Sequence, residues 1–269
     1  MVNTKQGNKF ISALGVVLQN PELLSVHQKY IFVVSHMRSN STLLAHILGS
    51  NDEISGHVEM HQSYTSKLDL LKLNYKIFRS EEVSHCRYRL DKVLHESWSI
   101  SDTILSSSDK VRIIFLLREP EQTIKSIVSM WERRKSNSEA RSNLIERAFK
   151  HYSYRAESLS SYSIKANCDS IFLPSEQLLS EPDLVLPSLS KWLGLEHKLS
   201  QSYNIFSNTG APGCGDPSPA IKSGSIIKSI ERRYDDVVIE PEMLTKANKI
   251  FLKCQNTLLK NCHKIEDFY

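Results

Sequence analysis

The sequence predicts an α/β fold: a three-layer sandwich in which a central parallel sheet is flanked by helices on both faces. Three observations carry this. Apolar runs of strand length recur at residues 30–34, 111–117 and 170–173. Helical-period patterns separate them, and strands alternating with helices demand crossover connections and hence parallel pairing. The first run also stops abruptly at a small polar loop that opens a helix, the strand–loop–helix unit of an open α/β sheet.

The elements follow in order. Phe10-Ile-Ser-Ala-Leu-Gly-Val-Val-Leu18 is too short to span a bilayer and lacks a small-residue cleavage site, so it reads as a packed helix within an N-terminal segment, 1–28. After the strand at 30–34 come helices at 41–49 and 63–75, then an extended stretch at 88–95. The strand at 111–117 leads into a helix at 120–131 with Pro120 in its first turn. The long helix at 139–162 carries Leu144, Ile145, Ala148, Phe149, Tyr152, Ala156 and Leu159 at helical spacing, a core-facing stripe. A strand at 170–173 and a helix at 182–193 follow, the latter opened by Pro182 and closed by Gly194. Residues 200–225, rich in Gly, Pro, Ser and Asn, form a loop of functional length. The helix at 241–261 lies in a C-terminal cap, 236–269. With 269 residues this makes a single domain, 1–269.

Composition narrows the partners. A formal charge of +4, with 40% hydrophobic and 24% charged residues, is ordinary for a globular chain and gives no nucleic acid a special hold. No stretch reaches the ~18 apolar residues of a membrane span. Five scattered cysteines without C-x-x-C spacing favour free thiols in a reducing compartment, so the expected location is cytoplasmic. The sequence leaves oligomeric state open.

The chemistry concentrates in two segments. In Tyr30-Ile-Phe-Val-Val-Ser-His-Met-Arg38-Ser39-Asn40-Ser41-Thr42, one Arg and several hydroxyls sit where helix-start N–H groups converge, a seat for phosphate or sulfate. The Gly-Lys-Ser/Thr ending of a nucleotide-triphosphate loop is missing. The second segment, Val111–Leu117 followed by Arg118, ends in a guanidinium fork suited to a phosphate monoester, where a P-loop nucleotidase would place an acid for magnesium. Ser126 falls two turns later. Taken alone, Arg118 also reads as a strand-end charge paired with Glu119 or Glu121.

Together the two motifs resemble the sulfotransferases that use 3′-phosphoadenosine 5′-phosphosulfate (PAPS), nearest the bacterial and carbohydrate-type members. The resemblance spans residues 30–220 and implies the P-loop-like sulfotransferase fold. It implies PAPS as donor, no metal, and a small-molecule or glycan acceptor. By it, Arg38, Ser39, Asn40, Ser41 and Thr42 bind the 5′-phosphosulfate, and Arg118 with Ser126 binds the 3′-phosphate. Ser35 and Asn40 stand where the family has glycine; Asn is the residue that best tolerates left-handed backbone. Leu173-Pro-Ser-Glu176 through Pro182, with Trp192-Leu-Gly194, is similar to a late structural stretch of the family. Gly213-Cys-Gly215-Asp216-Pro resembles its glycine loop over the 3′-phosphate end, with Lys222 as helper; a plain surface turn is the other reading.

The resemblance also implies a general base, Glu59, in Ile54-Ser-Gly-His57-Val-Glu59-Met-His61. His57 or His61 then orients Glu59 or the acceptor. In an extended segment His57, Glu59 and His61 point to one side and also suit zinc, although no fourth ligand has the right spacing. Lys92, in Tyr88-Arg-Leu-Asp91-Lys92, resembles the family's cleft-entering lysine; without the family it is half of an exposed Asp–Lys pair. Variable loops at 62–82 and 133–141 are expected to shape the acceptor pocket. The competing functions are a P-loop nucleotide or small-molecule kinase and a catalytically inactive nucleotide-binding relative.

Overall fold

The computed structural model describes residues 28–80, 86–107, 109–133, 139–211, 215–216, 218–228, 234 and 236–269. The helix expected at 10–18 and the residues Gly213 and Cys214 lie outside them. A six-stranded sheet forms the middle layer: β1 (Lys29–Val34), β2 (Ile54–Ser55), β3 (Tyr88–Val93), β4 (Val111–Leu117), β5 (Asp169–Pro174) and β6 (His263–Lys264). Their order is β2-β3-β1-β4-β5-β6, and every pairing is parallel. The three-layer α/β fold expected from the sequence is present.

The central strands are apolar along their length because both faces are covered. Tyr30, Phe32 and Val34 of β1 and Ile113, Phe115 and Leu117 of β4 enter one core; Ile31, Val33, Ile114 and Leu116 enter the other. The first core is closed by α2 (Lys67–Ser80), α4 (Pro120–Glu132), α5 (Arg141–Lys165) and α8 (Pro241–Asn261). The second is closed by α1 (Ser41–Gly49) and α7 (Pro182–Leu193). Two single-turn helices, α3 (Asp102–Leu105) and α6 (Gln177–Ser180), lie in the connections. The chain leaves β1 for α1 on one face and the adjacent β4 for α4 on the other. A crevice therefore opens at the C-terminal ends of these two strands, the place where open α/β sheets bind ligands.

Boundaries differ from expectation for local reasons. α2 starts at Lys67 rather than 63 because Asp69 Oδ2 accepts the Thr65 and Ser66 backbone N–H groups at 2.9 and 3.0 Å, fixing the first turn there. It runs on to Ser80 because Ile77 is still in the core. Pro182 and Gly194 end α7 as expected, Gly194 with φ 66°.

One side chain ties the crevice floor together. Arg155 of α5, on the stripe of apolar residues, is fully buried. Its Nε donates to the Ser35 carbonyl at 2.8 Å and its Nη2 to the Val93 carbonyl at 2.6 Å, so it joins the ends of β1 and β3. Arg155→Met removes both bonds and a third to the His95 carbonyl at 3.4 Å, leaving the buried Ser35 carbonyl without this donor while the Val93 carbonyl keeps the Ser35 N–H at 3.2 Å, for an expected loss of about 2–4 kcal/mol in urea unfolding. Lys150→Met on the exposed face of the same helix, breaking the 2.6 Å pair with Glu146, should change stability by less than ~0.5 kcal/mol.

Candidate active site

The loop between β1 and α1 turns by two left-handed residues, Arg38 (φ 65°) and Asn40 (φ 62°). Asparagine in the place of glycine is therefore used as the backbone requires. It also adds a bond: Asn40 Nδ2 donates to Ser175 Oγ at 3.0 Å, and Ser175 Oγ donates to the Ser39 carbonyl at 2.7 Å. Ser35 is likewise structural, since its Oγ lies 2.7 Å from Ser39 Oγ and also bonds the Leu116 carbonyl. Both departures from glycine anchor the loop to neighbouring strands.

α1 begins at Ser41 with no side-chain cap and no acid in its first turn. Its leading N–H groups are therefore not closed by a cap of their own. α4 is the contrast: Glu119 caps it, accepting from Gln122 N at 2.8 Å and Glu121 N at 3.0 Å. That helix start is closed by its own carboxylate.

The second motif meets the first. Arg118 Nη1 donates to the Arg38 carbonyl at 3.1 Å, and Arg38 Nε donates to Ser126 Oγ at 3.0 Å. Residues 80 and 88 positions apart thus form one cluster. Arg118 Nε lies 3.7 Å from Glu176 Oε1, while Glu119 caps α4 and Glu121 holds Lys125 at 2.7 Å. Beneath lies His36, fully buried, accepting the Arg118 N–H at Nε2 (3.1 Å). Its Nδ1 must then carry the proton donated to the Met37 carbonyl at 2.9 Å. Burial lowers its pKa to about 4, so it stays neutral.

A cavity of about 270 Å³ opens above the loop, walled by Arg38–Thr42, Glu59, His61, His95, Met130, Tyr203, Gly215 and Asp216 among others. Glu59 is 7% exposed, between His61 Nδ1 at 3.8 Å and His95 Nε2 at 3.7 Å, and its Oε1 accepts no hydrogen bond. Burial pushes its carboxyl up to about 7, against the opposing pull of Lys92 and His61. The adjacent Met60 N–H donates to Asp91 Oδ1 at 2.8 Å, so buried Asp91 fixes the turn that carries Glu59.

No protein-family model and no curated protein matches the chain. Solved structures do. It is similar to a sulfotransferase domain from the curacin biosynthetic pathway (TM-score 0.58, 16% identity), over 86% of this chain and 99% of that one. It is also similar to the sulfotransferase domain of the Synechococcus PCC 7002 olefin synthase (TM-score 0.58, 16% identity), over 85% and 96%. The chain has the sulfotransferase fold.

Within the sulfotransferase fold, the remaining expected residues are placed unevenly. Arg38, Ser39, Asn40, Ser41, Thr42, Glu59, His61 and Gly215 wall the cavity. Arg118 and Ser126 lie behind the loop, Ser126 fully buried under Arg38 and 3.0 Å from Tyr234 Oη. Lys92 and Asp91 are both 1% exposed, which corrects the reading of an exposed pair. Lys92 shares the face of β3 that carries Tyr88 and Leu90 into the second core. His57 parts from Glu59 and His61: its ring stacks on Phe206 at 3.7 Å and its Nε2 meets Asn208 Oδ1 at 2.7 Å. The zinc reading loses that residue, because the segment is not a strand and His61 turns left-handed (φ 49°). Lys222 is exposed on a short 3₁₀ turn (Pro219–Ser223), outside the cavity wall.

Gly215 and Asp216 sit against the first loop. A Cβ on Gly215, whose φ is 111°, would come within 2.7 Å of Thr42 Oγ1, so only glycine fits. Asp216 N donates to that same Thr42 Oγ1 at 3.1 Å, and Asp216 Oδ1 pairs with Arg38 Nη1 at 3.1 Å. The segment thus meets the loop assigned to the 5′-phosphosulfate. His95 and Arg155 join the site without a sequence signal, since a single His or Arg near an apolar run carries no motif, and Asp91, legible only as the partner of Lys92, proves to hold the Met60 N–H instead.

Glu59 gives a stability test. Its folded pKa, about 7, lies above the ~4.3 of an unfolded glutamate, so the folded state holds the extra proton and stability falls as pH rises between these values. Glu59→Gln removes that penalty. Its Tm should exceed that of the wild type at pH 8, by a margin that shrinks at pH 5; an equal margin at both would show that the carboxylate is not penalised.

Proposed function

We propose that the protein transfers a sulfuryl group from PAPS to a hydroxyl of a small-molecule or glycan acceptor, a saccharide or glycolipid. The observation that carries the reading is the contact of Arg118, Arg38 and Ser126 at an uncapped helix start. This gives a nucleotide with two anionic ends adjoining cations and donors. The sulfotransferase fold supports it.

The donor's phosphosulfate lies on the Ser41 and Thr42 N–H groups, with Arg38 on its oxygens and Arg118 with Ser126 at the 3′-phosphate. For that phosphate to reach Ser126, Arg38 must leave the serine hydroxyl. The acceptor oxygen attacks sulfur in line as the bond from sulfur to the bridging phosphate oxygen breaks. Glu59 takes the hydroxyl proton, and Arg38 and the helix-start N–H groups stabilise the charge that gathers on the departing phosphate. The products are a sulfate ester and adenosine 3′,5′-bisphosphate. His61 and His95, at 3.8 and 3.7 Å, flank the carboxylate, and Lys92 adds positive potential behind it.

Incubation with labelled PAPS and a glycan panel tests the reading, and failure to bind adenosine 3′,5′-bisphosphate would overturn it. ATP binding with a magnesium requirement would favour a kinase instead. Glu59→Gln should abolish transfer and leave nucleotide binding intact, and wild-type transfer should rise with pH through about 7 as Glu59 ionises. Normal transfer by the variant would remove Glu59 from the base role. Loss of transfer in the wild type with nucleotide binding retained would mark an inactive relative.

The Arg38–Asp216 pair makes a separate prediction. An arriving dianion meets the Asp216 carboxylate already on Arg38, so Asp216→Asn should tighten adenosine 3′,5′-bisphosphate several-fold in calorimetry. Weaker binding would mean that Asp216 serves to orient Arg38.

A further inference from the structure

The outer face of α8 carries a stripe of lysines. Lys246, Lys249, Lys253 and Lys260 are all exposed. At about 100° per residue they fall within roughly 60° of arc, a stripe about 21 Å long. No acidic residue occurs between Glu242 and Glu266. On other helices three lysines are paired within one turn, Lys72 with Asp69 at 2.7 Å, Lys125 with Glu121 at 2.7 Å and Lys150 with Glu146 at 2.6 Å. Among the described residues none of the four α8 lysines makes an ion pair. Like charges three and four positions apart weaken a helix by a few tenths of a kcal/mol per pair, so the stripe is not there to stabilise α8.

Beside the lysines, on the same outer face, Leu252 and Leu259 are 53% and 39% exposed. They stand seven positions apart and so share one edge of the helix. The inward face, Ala247, Cys254 and Leu258, is buried against the protein. α8 is thus apolar inward, and outward it is cationic along one edge and leucine-bearing along the other. No helix among the described residues is long and apolar enough to cross a membrane.

We propose that α8 is a docking surface for an anionic lipid bilayer. The lysines lie at the headgroups, and Leu252 and Leu259 enter the headgroup boundary, as in a helix that rests on a membrane plane. Charge complementarity calls for an anionic partner. The exposed leucines beside the cationic edge are what a lipid headgroup boundary takes up and what a nucleic-acid backbone does not.

Co-sedimentation of the full chain with vesicles of phosphatidylcholine alone, or with 30% phosphatidylglycerol, tests this. Binding should require the anionic lipid and fall steeply between 0.05 and 0.5 M NaCl. Each of Lys246→Gln, Lys249→Gln, Lys253→Gln and Lys260→Gln should weaken partitioning about five-fold, on the ~1 kcal/mol that a basic residue gains near such a surface. Leu252→Ser with Leu259→Ser should weaken it too; circular dichroism checks that the variants stay folded. No sedimentation with anionic vesicles, or unchanged binding by the lysine variants, would overturn the proposal. So would loss on lysine replacement with no effect of the leucine pair and full competition by a soluble polyanion such as heparin, the pattern of a protein or nucleic-acid partner.

Discussion

The site depends on a polar junction between two adjacent strand ends. β1 and β4 finish side by side, and their chains leave for opposite faces of the sheet, so nothing in the layers themselves holds the two following loops together. His36 does so from below, accepting the Arg118 N–H and donating to the Met37 carbonyl. That arrangement works only for the neutral ring with its proton on Nδ1, because a protonated Nε2 cannot accept. Burial keeps the ring in this state by lowering its pKa to about 4. Arg118 closes the junction from above through the Arg38 carbonyl, at 3.1 Å. The left-handed turn at Arg38 is thereby fixed on both sides, and the Arg38 side chain is aimed across the uncapped start of α1.

The same logic explains why two helix starts at one sheet edge behave differently. Both α1 and α4 offer orphan N–H groups. Glu119 satisfies those of α4, so its first turn has no use for a foreign anion. α1 has no such cap, and the loop before it is braced by serine and asparagine side chains rather than by a carboxylate. Positive potential from Arg38 and the N–H groups then adds at one place, with Asp216 as the internal counter-charge.

Much of this was legible in the sequence, and the failures have physical causes. The central strands showed because burial on both faces forces unbroken apolar runs, as in Val111–Leu117. β2 and β6 did not, since two residues each, Ile54–Ser55 and His263–Lys264, are too short for any period to appear. The loop at 38–42 and Arg118 stood out because a strand that stops at a polar loop before a helix, and a strand that ends in Arg, are patterns of residue types at fixed spacings. Arg155 was hidden: it lies on the helix face that carries Tyr152, Ala156 and Leu159, and only the fold brings the Ser35 and Val93 carbonyls to it. His57 was misplaced for a related reason. Alternation sorts side chains by face only in a strand, and residues 56–61 form none.

Two carboxylates lie close together behind the cavity, and their surroundings separate their roles. Asp91 is the more buried, yet it accepts three hydrogen bonds, from Tyr64 Oη, Met60 N at 2.8 Å and Lys92 N at 2.7 Å. Burial raises its pKa only to about 6, because those donors favour the ionised form. Glu59 has no comparable donors and is pushed up to about 7, with the Asp91 charge adding to the push. The Asp91 charge, where present, favours the protonated form of Glu59 and so makes its carboxylate a stronger base. Asp91 also holds the Met60 N–H, so the residue that raises the basicity of Glu59 is the one that positions its backbone. A carboxylate buried with both oxygens held by donors is poorly placed to meet a new hydroxyl, whereas Glu59 lines the cavity and lacks such donors. By that criterion the proton-accepting role proposed above falls to Glu59 rather than to Asp91, which lies one layer deeper.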